Sequence, residues 1–350
     1  MMGRLVILDH IAGRPAAALL EDGQLQDLLI DPDGDDLLPG AICRALADRP
    51  MKGMGGMFLK LPGHQSGFLR QTAGIAPGRP LIVQVTGPAE SGKALPVTTR
   101  LLFKSRLCIV TPGAPGLNIS RKLRDEALRT DLETLAIAAM AGAPADFGLI
   151  LRSAAAHAGD DEISEDITAM RALAEAVTAD LDGGPELLIE GAGAQETAWR
   201  DWADPPPDAV EEGTFEAHDI PARIDALLAP RVGLAGGGHM MIEPTRALVA
   251  VDVNTGPDTS PAASLKANIA AARDLPRQLR LRGLGGQVVV DFAPMPKKDR
   301  AVLDQVIRAA FKGEGADATL AGWTVLGLYE MTRRRDRVEL ARLLPKGTEE

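Results

Sequence analysis

Two aspartates and an asparagine have the spacing that matters most for chemistry. Residues 247–256 read ALVAVDVNTG. As a strand, this run puts Ala247, Val249, Val251 and Val253 on one face, and Asp252 with Asn254 on the other, at the strand's end. A second run, Val288-Val289-Val290-Asp291, suits a strand buried on both faces and ending on a carboxylate. About 32 residues with a helical pattern join the two strands, the length of a crossover between parallel neighbours. Both carboxylates then emerge at the sheet edge where open α/β sheets bind ligands. Two converging carboxylates repel, and a divalent cation removes that cost. Mg²⁺ prefers one or two carboxylates, several waters and phosphate oxygens, so Asp252 and Asp291 with Asn254 beside them read as an Mg²⁺ site, the alternative being strand-end aspartates that serve as helix caps or surface charges.

Other chemistries find less support. Gly87 to Lys93 fits the G-x-x-x-x-G-K pattern of a phosphate loop after an apolar strand. Ala94 stands where that motif needs a hydroxyl, and Pro96 stands early in what should be a helix, so a hairpin turn is expected. His10, His64, His157, His218 and His239 lack H-E-x-x-H spacing. Cys43 and Cys108 are far apart with no C-x-x-C pair, so neither a disulfide framework nor a cysteine zinc site is expected.

The elements that must position these residues form two halves. Arg4–Ile30 reads as two or three strands, closed by a loop at residues 31–35. Residues 41–47, 56–61, 66–69, 81–86 and 97–103 read as five short strands between Gly/Pro turns, which suits an OB-type barrel. A strand at 107–111, a helix at 119–141 opening near Ser120, a strand at 147–153 and a helix at 164–181 capped by Ser164 follow. Residues 203–213, with three prolines in a row, read as a linker. Beyond it come a helix at 219–229, strands at 238–243 and 247–253, a helix at 262–282, a strand at 287–292, a helix at 297–312 and a last strand at 323–329. That alternation argues for an α/β sheet.

Composition sets the outer bounds. The 350 residues are 45% hydrophobic and 25% charged, as in soluble globular proteins. The start lacks the apolar core of a signal peptide, no run suggests a membrane span, and a reducing cytoplasm fits best. A net charge of −10 is awkward for a nucleic-acid enzyme, yet residues 271–346 carry 15 Lys/Arg against 9 Asp/Glu. The basic Arg277, Arg280 and Arg282 set reads either as a solvated helix face or as a phosphate-facing one.

Four motifs in order, VDVNTG at 251–256, RQLRLRGLGG at 277–286, VDF at 290–292 with Met295, and GLYEMTR at 327–333, resemble the catalytic region of the ribonuclease E/G family. More thinly, Gly56–Phe58, Ser66–Leu69 and Gly92–Thr99 resemble its S1-like RNA-binding barrel. Ile119–Lys122 and Gly148–Ala154 resemble its module that senses an RNA 5′-monophosphate. The resemblance implies a multidomain α+β and α/β chain. Residues 1–35 would form a ribonuclease-H-like half with a truncated 186–202, residues 36–103 the S1-like barrel, 104–185 the sensor and 213–350 a DNase I-like catalytic domain. It implies an endoribonuclease acting on single-stranded RNA, with Asp252 and Asp291 holding Mg²⁺ and Asn254 holding the scissile phosphate. Phe58 and Phe68 would stack bases, Lys93, Arg121 and Lys122 would contact the backbone, and Arg152 and Ser153 would take the 5′-phosphate.

The sequence departs from the family in places. The barrel is shorter. No C-x-x-C zinc link is present, so a homo-oligomer would lack zinc-linked dimerisation. Arg246 stands where an acid is usual, and residues 257–264 hold Asp258 alone where the family has an acidic run. These losses keep open a catalytically weakened RNA-binding homologue.

Overall fold

The computed structural model describes residues 3–34, 37–51, 53, 55–70, 74–90, 92–314 and 317–344. The chain divides into two compact units, residues 1–8, 15–17 and 29–211 in the first, and 9–14, 18–28 and 212–350 in the second. The main division falls inside the proline-rich stretch read as a linker, which also carries a short strand. The boundary expected at residues 35 and 36 lies outside the described residues. Strands β1 (Arg4–Ile11), β2 (Arg14–Glu21) and β3 (Gln24–Ile30) open the chain, and their segments are shared between the units.

In the first unit, β4 (Ile42–Met51), β5 (Gly56–Lys60), β6 (Ser66–Leu69), β7 (Pro80–Val85) and β8 (Leu95–Thr98) pair in the order β4-β5-β6-β8-β7. β7 returns to β4, Ile42 opposite Gln84, and closes a five-stranded, OB-like barrel. Closure works because alternate residues point inward. Cys43, Ala45, Ala47, Met57, Leu59, Leu69, Val83, Val85, Leu95 and Val97 fill the interior. Residues 87–93 belong to the β7–β8 connection. β8 then runs antiparallel to β7 as a strand, so no helix follows the phosphate-loop-like run, of which Ser91 lies outside the described residues.

Next come β9 (Phe103–Lys104), β10 (Cys108–Pro112), β11 (Gly116–Ile119), α1 (Glu126–Ala139), β12 (Phe147–Leu151) and α2 (Asp160–Ala179). The sheet order is β11-β12-β10-β9. Val110, Leu149, Leu151, Leu132, Ala136, Ile163 and Ile167 make its shared core with α1 and α2. Two helix starts differ from expectation. α1 begins at Glu126 because Asp125, not Ser120, caps it, accepting from the N–H groups of Ala127 and Leu128. Residues 119–125 instead finish β11 and turn. α2 begins four residues before Ser164, with Asp160, Asp161 and Glu162 in its first turn, where negative charge favours a helix N-terminus. β13 (Glu186–Ile189) pairs with β4 of the barrel, and α3 (Ala194–Asp201) and β14 (Ala209–Glu212) complete the unit.

The second unit holds α4 (Ile220–Leu228), β15 (Arg231–Gly233), β16 (His239–Pro244), β17 (Leu248–Asn254), α5 (Pro261–Leu281), β18 (Gly286–Asp291), α6 (Arg300–Phe311), β19 (Ala318–Trp323), β20 (Tyr329–Arg333) and α7 (Leu340–Leu343). Its sheet order is β15-β16-β17-β18-β20-β19. The core lies on one side, where Val249, Val251, Val253, Val288 and Val290 meet Ala271, Leu275 and Leu279 of α5 and Leu303 and Ile307 of α6. The other face is open. Gln287 and Asp291 are exposed and Val289 is half-buried, so β18 is buried on one face rather than two. Residues 324–328 are a turn, not the middle of a strand. Thr324 N–H donates to the Leu328 carbonyl at 2.8 Å, and Gly327 takes the left-handed conformation, φ 93°, that favours glycine. The apolar run Val325-Leu326 that suggested a strand is exposed at the tip of the β19–β20 hairpin.

Candidate functional site

Asp252 and Asp291 meet because β17 and β18 pair in parallel, and the pairing runs from Leu248 opposite Gln287 to Asp252 opposite Asp291. Neighbouring strands stand about 4.8 Å apart, so the two carboxylates leave the same exposed face side by side. Both residues are exposed. Asn254, two residues on and on the same face, donates from Nδ2 to Asp252 Oδ2 at 2.6 Å. That amide keeps one N–H for another acceptor.

The strand tips are held from below by residues the sequence reading did not single out. Asn268 of α5 is fully buried. Its Nδ2 donates to the Ala293 carbonyl at 2.9 Å, and its Oδ1 accepts the Ala293 N–H at 2.9 Å. This two-way clamp fixes the chain two residues past Asp291. The signal was present in the sequence, since Asn268 interrupts the apolar stripe of Ala267, Ala271, Ala272, Leu275 and Leu279. α5 starts where Ser260 Oγ accepts from Ala263 N–H at 3.2 Å, with Pro261 next, a pattern that sets a helix N-terminus.

Residues tied to lost acidity are placed differently from one another. Arg246 precedes β17, while Asp252 lies toward its far end, about 20 Å away at the rise of a strand. Its charge therefore does not enter the pair. Asp258 Oδ1 accepts Ser260 N–H at 2.9 Å, and this backbone hydrogen bond lowers its pKa below the ordinary range. Among the described residues no group of three or more His, Cys, Asp or Glu is arranged to hold a metal. The donor set is two carboxylates beside a neutral amide, open to solvent. It fits Mg²⁺, which keeps most of its waters, and does not fit a closed structural zinc site.

The basic stretch is largely engaged within the second unit. Arg277 donates to Asp274 and to the Leu25 carbonyl. Arg280 bonds the Gln26 carbonyl and Glu314. Arg282 is buried against Gln278 and the Ala229 carbonyl. Arg333 is buried and bonds the Leu284 carbonyl. These arginines tie elements together, so neither the solvated nor the phosphate-facing reading of the trio holds.

The remaining candidates lie in the first unit. Phe58 and Phe68 are register partners on β5 and β6, both half-buried, with ring centroids 5.4 Å apart and Arg49 over the Phe58 ring at 5.2 Å. Gly56 allows this, because a Cβ there would overlap the Phe68 ring. Lys93 lies in the β7–β8 connection, paired with Glu90 at 2.6 Å. Arg121 is exposed in the turn after β11.

Arg152 and Ser153 do come together, and both carry internal anions. Arg152 donates to the Ser105 carbonyl at 2.7 Å and to Asp201 Oδ1 at 2.7 Å. Lys122 Nζ and His157 Nε2 each approach the Asp204 carboxylate at 3.5 Å. Partial burial pushes the Asp204 carboxyl up, but the Ser153 hydrogen bond and the Lys122 charge outweigh it and leave the group below its usual range. His157, Asp201 and Asp204 were not foreseen. Nearby on α3, Trp199 is 62% exposed with Arg106 over its ring at 5.4 Å.

The chain is similar to known proteins over most of its length. The pattern of the Ribonuclease E/G family matches residues 103–211 and 206–336. "Ribonuclease E" of Nostoc sp. is 28% identical over 376 residues, covering 91% of this chain and 54% of that protein. "Ribonuclease E" of Synechocystis sp. is 28% identical over 384 residues, 93% of this chain and 56% of that protein. "Ribonuclease G" of Escherichia coli is 25% identical over 396 residues, 93% of this chain and 79% of that protein. The chain thus spans about half the length of the first two relatives.

Proposed function

Because the chain belongs to the ribonuclease E/G family, we propose that it is an endoribonuclease that cuts single-stranded RNA by Mg²⁺-dependent phosphodiester hydrolysis, in RNA processing or decay. The observation that carries this reading is the register pairing of Asp252 with Asp291, with the Asn254 amide alongside. Those two carboxylates would hold the ion, and Asn254 would offer its second N–H to a phosphate oxygen. When bound, Mg²⁺ supplies an acidified water and draws charge from a phosphodiester oxygen. Hydrolysis leaves a 5′-phosphate and a 3′-hydroxyl.

In this reading residues 213–350 are the DNase I-like catalytic domain. Residues 36–103 are an S1-like barrel that binds single strands through the Phe58 and Phe68 rings and Lys93. Residues 104–185 are a 5′-monophosphate sensor in which Arg152 and Ser153 take the terminal phosphate and Arg121 and Lys122 contact the RNA backbone, and residues 1–35 with 186–202 are the ribonuclease-H-like half. Guanidinium, ammonium and hydroxyl donors are the groups a terminal phosphate needs. We assign the activity to the cytoplasm, where the buried free thiols of Cys43 and Cys108 stay reduced. Among the described residues no helix is long and apolar enough to cross a membrane.

Cleavage of a 5′-monophosphorylated, A/U-rich single-stranded RNA by the full chain tests the proposal. Wild type should cut with Mg²⁺ and stop in EDTA. Asp252→Asn and Asp291→Asn should each lose at least about a hundredfold in rate, within the range removed with a metal's electrostatic role. Cleavage that persists in both variants would overturn the assignment. The non-catalytic reading predicts RNA binding with no cleavage by wild type. The placement of Arg246 far from the pair removes one reason for it.

A further inference from the structure

Lys122, Ser153 and His157 lie around a carboxylate. The two oxygens of Asp204 lie 3.5 Å from Lys122 Nζ and 3.5 Å from His157 Nε2, and the Ser153 hydroxyl acts on the same carboxylate to lower its pKa. Beside it, Asp201 takes the outward arm of Arg152 at 2.7 Å, and Arg200 holds the same carboxylate at 3.1 and 2.9 Å. A hydroxyl, an ammonium, an imidazole and a guanidinium converging from two segments make an anion receptor. Both anions within it belong to the segment from the end of α3 to Asp204. The Asp204 side chain is 21% exposed, so water reaches it and it can rotate outward.

We infer that Lys122, Ser153 and His157 form a seat for a terminal phosphate monoester, that Asp204 fills it in the RNA-free protein, and that Asp204 thereby weakens selection for 5′-phosphorylated ends. The inference rests on the sensor reading above and adds to it Lys122 and His157 as donors to the terminal phosphate and Asp204 as the internal competitor. A phosphate monoester carries more charge than a carboxylate near neutral pH, and a third oxygen. It fits the same donors better than Asp204 does. Its entry nevertheless forces the displaced carboxylate to stay close by, and like charges at short range repel. The preference for a phosphorylated end is therefore the difference between two anions competing for one set of donors. Substituting Asp204 by its neutral isostere removes the competitor and the repulsion while keeping the donors.

The test uses the full chain in EDTA, so that nothing is cut. Binding of a ten-nucleotide single-stranded RNA with a 5′-phosphate or a 5′-hydroxyl is measured by fluorescence anisotropy. Binding of uridine 5′-monophosphate against uridine is measured by calorimetry. Wild type should favour the phosphorylated forms by about twofold or less. Asp204→Asn, and Asp204→Ser should the first fold poorly, should favour them by about tenfold. Adding Ser153→Ala to either should return the ratio to that of wild type. Asp146→Asn, which removes a distant exposed acid of the same unit, should leave it unchanged. No gain for uridine 5′-monophosphate in a folded Asp204 variant overturns the seat, and so does an equal gain in Asp146→Asn. A gain for the nucleotide with no binding of either RNA keeps the seat and overturns the RNA reading instead.

Discussion

Asp252 and Asp291 occupy opposing positions in the parallel pairing of β17 with β18, so each strand delivers its carboxylate to the same point of an open sheet face. Nothing at the tips neutralises them apart from the single Asn254 amide among the contacts described. Without a cation the pair is a source of like-charge repulsion. Replacing either aspartate by asparagine should leave the melting temperature unchanged or slightly higher in EDTA. Mg²⁺ should raise the melting temperature of wild type by binding the folded form, and it should fail to do so in either variant. Thermal scans with and without Mg²⁺ check this independently of RNA. An equal Mg²⁺ shift in wild type and both variants would place the ion elsewhere.

This pair was legible in the sequence because strand periodicity and connection length are local quantities. The barrel strands were legible for the same reason. What stayed hidden was tertiary. Arg277, Arg280 and Arg282 look like a solvated face until their partners, the carbonyls of Leu25, Gln26 and Ala229, are seen more than 50 residues away in sequence. Asp204 reads as an acid of the linker and Asp201 as one of the shortened 186–202 segment, and only the fold sets Asp201 against Arg152 and Asp204 beside Lys122 and His157. The run from Trp323 to Tyr329 has the apolarity of a strand, but Gly327 in the left-handed region makes it a turn.

Asn268 should behave as a positioning residue. Asn268→Ala leaves the buried N–H and C=O of Ala293 without partners. Each such group costs about 1–3 kcal/mol, so a loss of about 2 kcal/mol or more is expected. Asn268→Asp keeps the acceptor and loses the donor. Denaturant unfolding gives the stability. If Asn268 also sets the height of Asp291, the variant's Mg²⁺ dependence of cleavage should move to higher concentration, which a purely structural role would not do.

Phe58 and Phe68 face each other across β5 and β6 with partly open rings. A stacked base contributes about 1–3 kcal/mol at such a surface. Phe58→Ala and Phe68→Ala should each weaken single-stranded RNA binding by about tenfold, with Tm close to wild type. Gly56→Ala should act like Phe68→Ala, since the added methyl displaces that ring. Unchanged affinity in a filter-binding or anisotropy assay would make the rings part of the core alone.

Tyr329 is the sole tyrosine in the chain, so phenolate absorbance reports one group. It is fully buried against Phe292 and Trp323 and donates to Asp304 Oδ1 at 2.9 Å. Burial, then the Asp304 hydrogen bond, pushes its pKa up to about 12. A raised acid pKa means that the folded form holds the proton more tightly. The stability it contributes is full below the unfolded value near 10 and is lost as pH climbs toward 12. The spectroscopic midpoint in the folded protein should lie well above 10, and Tyr329→Phe should flatten the alkaline loss of stability. A midpoint near 10 in the folded state would contradict the packing.

On the acid side the decisive group is Asp27, in β3 and in the second unit. Its carboxylate is paired with Arg337 through both oxygens, with Arg280 at 3.9 Å. Burial alone would lift its pKa, but the charge and hydrogen bonds of Arg337, with Arg280 behind, hold it below 3.8. A depressed carboxyl stabilises the fold at pH above its unfolded value and loses that contribution as pH falls through the folded one. Unfolding monitored by circular dichroism should therefore begin below about pH 4, and Asp27→Asn should remove part of that acid limb. At neutral pH, Asp27→Ala strands the Arg337 charge, whose side chain is 25% exposed. Breaking one partner of a mostly buried pair costs about 3 kcal/mol, so Asp27→Ala should be the less stable variant and Asp27/Arg337 double replacement by apolar residues should recover much of the loss. Equal stability of the single and double variants would show that the pair is not coupled.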